Sequence, residues 1–548
     1  MPSVWGAGQL FAFSGIDGLT DWSRPFVFST SEAPGALLLR LPGSLQLSFT
    51  GMPELCWDTI LGDVLCASSD AGEFVVAFLD HDTLLGALPN GVRLCVAGEK
   101  VGAEPVVVLE AKGQVIWAAQ AGNRWFLASR SADDKPSAQL LEEDLAPIVD
   151  ARARFVRSVD VPEGLSEGGE KLLRKVVSVM KVNTHSANGA ITRRWSTPDR
   201  WPHQHMWLWD SAFHAMGMAF VDVSVAQDDI LAMLEQITAD GMLPHMVCAD
   251  GKHSEITQPP ILAWAVLNAL GAGGDEEWAR SCMPMLKRYL DWDRANRDRN
   301  GNGIPEWFIE GNPLCRCGEC GLDNSSVYDG AILLDAPDFG AFLCNDYVCL
   351  AKLADRLGDD ALAEECRSHA QVMAAAIDDL LWSEDDSIYC HRDFSGKHIP
   401  VKAISGFMPL FSGIPSPERA QKLVAHLTDP CTFGAPSMIP SESLDSGTFC
   451  KDMWRGPAWI NMSYCVLLGL RGYGFDDEAD ILKRNMLSTI GSWYEATGCV
   501  WEYYDSLNCT APGDLDRKQR LISGKGMAPI SDYHWTAALT AALLLEDE

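Results

Sequence analysis

Up to about Val159 the apolar positions come in short runs broken by Gly and Pro: Ala36-Leu-Leu-Leu-Arg-Leu, Ser44-Leu-Gln-Leu-Ser-Phe, Glu73-Phe-Val-Val-Ala-Phe, Val92-Arg-Leu-Cys-Val, Val106-Val-Val-Leu and Val115-Ile-Trp. Runs of this length with turn residues between them predict strands, and their number predicts a β-sandwich-like domain over residues 1–160. After Asp160-Val-Pro-Glu-Gly the period changes. Ser166 is placed to cap a helix whose Leu172, Leu173, Val176, Val177 and Met180 make one apolar stripe. Further helical patterns follow near 210–221, 224–238, 259–271, 275–297, 338–357, 359–382, 399–411, 416–427, 455–471, 475–495 and 532–546. With the segment at 166–183 this makes twelve, the number that six helical hairpins need, so the expected class is mainly α, an (α/α)6 barrel over 161–548 behind the β-rich domain.

Some connections are short, such as Gly271-Ala-Gly-Gly-Asp275 and Gly472-Tyr-Gly-Phe-Asp476. Others, around 186–209, 299–337, 429–454 and 496–531, are long and crowded with Trp, Asp, Glu, Asn and Pro. Long loops in a compact domain carry function more often than not, so these are expected to gather at one barrel face. Acidic residues outnumber basic ones by 75 to 43, and a net charge of -32 repels phosphate backbones and anionic lipid headgroups, which excludes nucleic acid and membrane as partners. The start, Met1-Pro-Ser-Val-Trp-Gly, has no basic segment followed by an apolar run, and a cytoplasmic protein is expected. Most of the 17 cysteines sit singly in apolar helical surroundings, as Cys344, Cys349 and Cys465 do. Cys315-Arg-Cys-Gly-Glu-Cys320 alone has metal-like spacing, with free loop thiols as the other reading.

Two carboxylates stand in aromatic or glycine-bearing, non-helical settings: Asp323 in Gly321-Leu-Asp-Asn-Ser-Ser326, and Glu502 in Val500-Trp-Glu-Tyr-Tyr-Asp505. Each also has a plainer reading, Asp323 as an Asx-turn and Glu502 as a strand residue with an exposed head. Asn324 is positioned to orient Asp323, and rings on either side of Glu502 favour a useful base. The densest segment is Arg194-Trp-Ser-Thr-Pro-Asp-Arg-Trp-Pro-His-Gln-His-Met-Trp-Leu-Trp-Asp-Ser-Ala-Phe-His214. Its Trp195, Trp201, Trp207 and Trp209 offer faces for sugar C–H surfaces, and Asp210 offers a carboxylate for hydroxyl pairs or, alternatively, a helix cap. These features point to a small saccharide or glycoside as the partner.

The run Trp201-Pro-His-Gln-His-Met-Trp-Leu-Trp-Asp-Ser-Ala-Phe-His, then Gln258-Pro-Pro, Gly321-Leu-Asp-Asn-Ser, Trp454-Arg-Gly-Pro-Ala-Trp459, Trp501-Glu-Tyr-Tyr-Asp and Trp535-Thr-Ala-Ala-Leu, resembles glycoside hydrolase family 63 in both content and order. That family includes processing α-glucosidases and the mannosylglycerate and glucosylglycerate hydrolases, with trehalases more distant. The resemblance implies inverting, exo-acting hydrolysis of a terminal α-linked sugar, an α-glucoside ahead of an α-mannoside. It implies Asp323 as general acid and Glu502 as general base. It also implies that Trp207, Trp209, Asp210, Gln258, Trp454, Arg455 and Trp535 bind substrate. A glycoside phosphorylase on the same fold and a sugar-binding protein without turnover are the competing readings.

No cofactor is required by this chemistry, and no catalytic metal. A structural calcium is expected at most near Asp298, Asn300 and Asn302, where oxygen side chains alternate before Gly303 but the glutamate that should close the loop is displaced to Glu310. Near the N-terminus, Ser14-Gly-Ile-Asp-Gly reads as a hairpin turn or a loop reaching the barrel mouth.

Overall fold

The alternating run Leu45–Thr50 forms a strand whose Leu45, Leu47 and Phe49 are buried while Gln46 and Thr50 reach solvent. In the computed structural model, which describes residues 8–13, 16, 26–30, 36–111, 113–330, 333–524 and 526–546, this strand belongs to one of two antiparallel sheets. The first sheet runs in the order Gly8–Ala12, Val27–Thr30, Ala36–Leu41, Leu45–Thr50, Arg93–Val96, Glu99–Lys100. The second runs Val106–Ala111, Gln114–Ala121, Arg124–Arg130, Thr83–Ala87, Gly72–Asp80, Val64–Ser69, Cys56–Ile60. Leu37, Leu39 and Leu47 of the first and Phe74, Val76 and Trp125 of the second share one apolar core. The turn expected at 14–18 lies, apart from Ile16, outside the described residues.

The other side of the second sheet also buries apolar residues, among them Val75, Leu85 and Phe126, under Leu141 and Leu145. Leu145 opens helix α1 (Leu145–Arg157), capped by Asp144, where the sequence pattern predicts no helix. The physical reason is an arginine on its inner side. Arg152 is buried and donates to the carbonyls of Phe78 and Leu79, so the apolar stripe is interrupted where the helix meets the sheet. Helix α2 (Glu167–Val182) is capped by Ser166 and buries the expected stripe. It also buries Lys175 and Lys181, each 2.9 Å from a carboxylate, Asp532 and Asp63 respectively. Such lysines persist in an interior only when paired.

The chain divides into two compact units. One takes 1–204 with 493–500 and 530–537, and the other 205–492 with 501–529 and 538–548. The remaining helices are α3 (Leu208–Val221), α4 (Val223–Leu234), α5 (Leu262–Gly271), α6 (Glu276–Asn296), α7 (Pro337–Leu357), α8 (Asp360–Leu380), α9 (Met408–Phe411), α10 (Pro417–Thr428), α11 (Ile460–Gly472), α12 (Asp476–Thr497), α13 (Arg520–Ser523) and α14 (His534–Leu545). Three depart from the pattern, the first being α13, a single turn inside the long loop expected around 496–531. The helix expected over 399–411 is a 3₁₀ turn, Ile404–Phe407, followed by the single turn α9, in which Pro409 is tolerated because the first turn needs no N–H. Helix α11 starts at Ile460 rather than 455, because Gly456 has φ +147° and Pro457 follows it.

In the second unit, helices two apart in sequence are neighbours: α3 packs on α4 and α5, α5 on α6 and α7, α7 on α8 and α9, and α9 on α11. Asp346 of α7 pins the start of α5 by accepting the N–H groups of Ala263 and Trp264 at 2.8 and 3.0 Å. Tyr464 of α11 donates to Glu546, one residue past α14. Gly217 of α3 in turn lets α14 lie directly against it. Among the described residues no helix is long and apolar enough to cross a membrane.

A side chain at Gly217 would place its Cβ 2.1 Å from the carbonyl oxygen of Ala538. Forced overpacking of this kind costs roughly 1–3 kcal/mol. Gly217→Val therefore lowers the thermal midpoint, whereas Gly271→Ala, where a Cβ meets nothing within 4 Å, leaves it equal or higher. Circular dichroism melts of the two variants check this, and equal midpoints would refute the close approach of α14.

Candidate active site

The loop bearing Asp323 starts from a glycine for a steric reason. Gly321 has φ +75°, and a Cβ there would meet Cζ2 of Trp209 at 2.2 Å, so only glycine lets the loop lie on that ring. Trp209 is the second residue of α3, and its N–H donates to Oε1 of Gln258 at 3.3 Å. Trp207 occupies the N-cap position, so Asp210 is not the cap; it lies in the first turn and is only 4% exposed. The Trp207 ring meets His245 edge-on at 5.0 Å, and His245 lies close enough to Asp323 to feel its charge. Burial outweighs that carboxylate and lowers the His245 imidazole to about 4, so the ring is neutral at physiological pH.

Asn324 joins this loop to the next one. Its side-chain oxygen accepts the Trp454 N–H at 3.0 Å, its amide nitrogen points to the Asp452 carbonyl at 3.5 Å, and its own carbonyl accepts Nε of Arg455 at 2.7 Å. The expected contact to Asp323 is not made, because the amide is engaged by the 452–454 segment. Arg455 continues to Asp329, which Arg316 also approaches at 3.5 Å. The Trp454 ring stacks on Trp459 with centroids 3.9 Å apart and planes within 3°. Trp459 then lies 4.6 Å from the Tyr503 ring, while Ala458 and Tyr504 exchange both backbone hydrogen bonds at 2.8 and 3.0 Å. A continuous path of contacts thus runs from Asp323's loop to Glu502's. Trp454 is buried, and its indole N–H has no acceptor among the described residues.

Glu502 is 2% exposed and is held by Arg517, Nε to Oε2 at 3.1 Å and Nη2 to Oε1 at 3.2 Å. Asp323 is held by the next residue, Lys518, whose Nζ lies 2.6 Å from Oδ2. Two adjacent cations of one loop therefore end on the two carboxylates, so both lie at the same end of this unit. The loop is fixed by its backbone. The Asp452 carboxylate accepts the N–H groups of Lys518 and Gln519 at 2.7 and 3.1 Å, and the Asp516 carbonyl accepts the Tyr503 hydroxyl at 2.7 Å. Lys518 and Gln519 have φ of +53° and +59°, a strained pair that those bonds keep in place. Sequence reasoning missed Arg517, Lys518, Asp452 and His245; the one signal was two neighbouring cations in a long loop of a strongly acidic chain.

Trp535 lies in the other unit, buried with its ring 5.1 Å from Tyr533. Cys317 and Cys320 are buried thiols that donate to the carbonyls of Phe308 and Cys317, and burial pushes both above the ordinary thiol range. In the 298–306 turn, Asn300 and Asn302 donate through their side-chain amides to Asp335 at 2.8 and 2.7 Å, and Asp298 accepts the N–H groups of Asn302 and Gly303. These hydrogen bonds tie the turn together, with Asp335 supplying an acceptor that the linear pattern does not contain.

The model of the mannosylglycerate hydrolase MGH1-like glycoside hydrolase domain matches residues 203–536, which takes in every element of this site. A mannosylglycerate hydrolase of Rubrobacter radiotolerans is 27% identical over 438 residues, 64% of this chain and 92% of the relative. The crystal structure of the GH63 mannosylglycerate hydrolase from Thermus thermophilus in complex with glucose superposes with a TM-score of 0.56 at 27% identity, covering 68% of this chain and 99% of that one. A bacterial glucoamylase complexed with acarbose, at 12% identity, shares the fold over 98% of this chain and 94% of its own, with a TM-score of 0.62. With the family model spanning more than half of its length, the chain is a glycoside hydrolase and belongs to family 63, in its MGH1-like branch.

Proposed function

We propose that this enzyme hydrolyses a terminal α-linked hexose by inversion, with Asp323 donating a proton to the leaving oxygen and Glu502 activating water on the opposite face of the ring. The observation that carries the reading is the convergence of these two carboxylates, from loops far apart in sequence, on one pair of adjacent cations. Trp207, Trp209, Asp210 and Gln258 then form the pocket for the terminal sugar, with Trp454 and Arg455 beside it. The Trp454 indole N–H, which has no acceptor among the described residues, suits a sugar hydroxyl as acceptor. The succession of helix neighbours, together with the contacts of α14 to α3 and α11, supports an (α/α)6 barrel as the scaffold. The names of the relatives move the preferred substrate from a simple α-glucoside to mannosylglycerate, with a glucosyl glycerate second.

Proton NMR of the first-formed sugar tests the stereochemistry: inversion of an α-linkage releases the β-anomer first. The α-anomer appearing first would refute inversion, and a phosphate-dependent release of sugar 1-phosphate would refute hydrolysis.

The near-isosteric variants Asp323→Asn and Glu502→Gln each lower kcat by a factor on the order of 10²–10⁴, the usual contribution of a general acid or base, while the circular dichroism spectrum at assay temperature shows the fold intact. Steady-state kinetics on mannosylglycerate, whose leaving group is poor, provides the measurement. Either variant retaining more than about half of the wild-type rate would remove that residue from its role.

A further inference from the structure

The Lys518–Asp323 pair presents a problem for the reaction. A general acid has to carry a proton, yet here an ammonium lies 2.6 Å from the carboxylate that must give one. Burial lowers Lys518, but Asp323 first and then Cys315 outweigh it, and the ammonium is held above the ordinary lysine range. The lysine therefore keeps its charge. His245, neutral for the reason given above, and Cys315, whose thiol burial pushes up, also lie near Asp323, and Arg517 lies near Lys518. Lys518 is the cation in direct contact with the acid.

The two ion pairs of this loop differ in access. The Arg517 and Glu502 side chains are 11% and 2% exposed, whereas those of Lys518 and Asp323 are 28% and 20% exposed. The backbone under Lys518 is pinned to Asp452, so the ammonium changes partner by rotation of its four-carbon stem with no movement of the loop.

We infer that Lys518 reads the charge of the aglycone: it locks Asp323 as an ion pair in the resting enzyme, and a substrate carboxylate draws the ammonium away and frees Asp323 to be protonated from water. This rests on the hydrolysis proposed above and adds a specificity-determining residue to it. No bond to carbon changes in the step, and the lysine keeps its three protons. A neutral glycoside supplies no anion to take the ammonium, so Asp323 stays locked and the substrate turns over slowly however well its sugar fits. Recognition of the leaving group is thereby coupled to arming of the acid.

The test uses the whole chain with a matched pair of substrates, mannosylglycerate and the analogue in which its carboxylate is reduced to an alcohol. The wild type is expected to favour the anion in kcat/KM by roughly 10–100-fold or more, the scale of one charge-assisted hydrogen bond. Lys518→Met is expected to lose on the anion and gain about tenfold on the neutral analogue, and Lys518→Arg to restore the preference in part. A lysine needed only for folding would lower both substrates together. A wild-type ratio near one, which needs no variant to measure, would overturn the inference while leaving the hydrolysis intact, as would an unchanged ratio in Lys518→Met. Cleavage of neither substrate nor of their glucosyl counterparts would instead overturn the proposed hydrolysis itself.

Discussion

Two carboxylates in an enclosed site repel each other and lose solvation, and the site is organised around the counter-charge that meets this. One loop delivers a guanidinium to Glu502 and an ammonium to Asp323 from successive residues. Just where the two cations part, the backbone is left-handed at Lys518 and Gln519, an unfavourable turn for residues with a Cβ. That turn in turn needs acceptors for its N–H groups, which Asp452 provides. Asp452 belongs to the segment that Asn324 grips from the other side. The acid's loop, the base's loop and the loop of cations are therefore tied to one another by direct contacts.

Aromatic packing gives this arrangement its stiffness. The Trp454–Trp459 stack and the Tyr503 ring beside it bridge the acid and base loops with area that polar contacts alone do not supply. Gly321 does the reverse, removing a side chain so that backbone and the Trp209 ring can meet. A rigid apolar wall with a few convergent polar groups is what a small glycoside requires.

Helix periods were readable where most of the inner stripe was apolar, as with Leu172, Leu173, Val176, Val177 and Met180 of α2, and where a cap such as Ser166 marked the start. They failed where a charge lay inside. Arg152 on the inner side of α1 looks like a solvent residue until the sheet's carbonyls are seen beside it, and the burial of Lys175 and Lys181 is equally hidden until Asp532 and Asp63 appear, although their helix, α2, was itself readable. The site was legible as a set of motifs in order, because tryptophans, prolines and glycines mark loops distinctively. Its charge balance was not legible. Which cation meets which carboxylate depends on a left-handed turn and on Asp452, far from Lys518 in sequence, and no local pattern encodes that distance.

Gly217 and Ala538 meet although most of the second unit's residues separate them along the chain. The α3–α14 contact is thus among the least local that the fold contains. During synthesis α3 emerges with its inner face complete but its partner not yet made, and its apolar side waits through the translation of every intervening hairpin. Contacts of such high sequence separation set folding rate more than they set stability, because the loop must be closed before the contact rewards it. For this enzyme the consequence is kinetic: its helices can form and pair in order, but the inner face of α3 is covered at Gly217 only when α14 arrives.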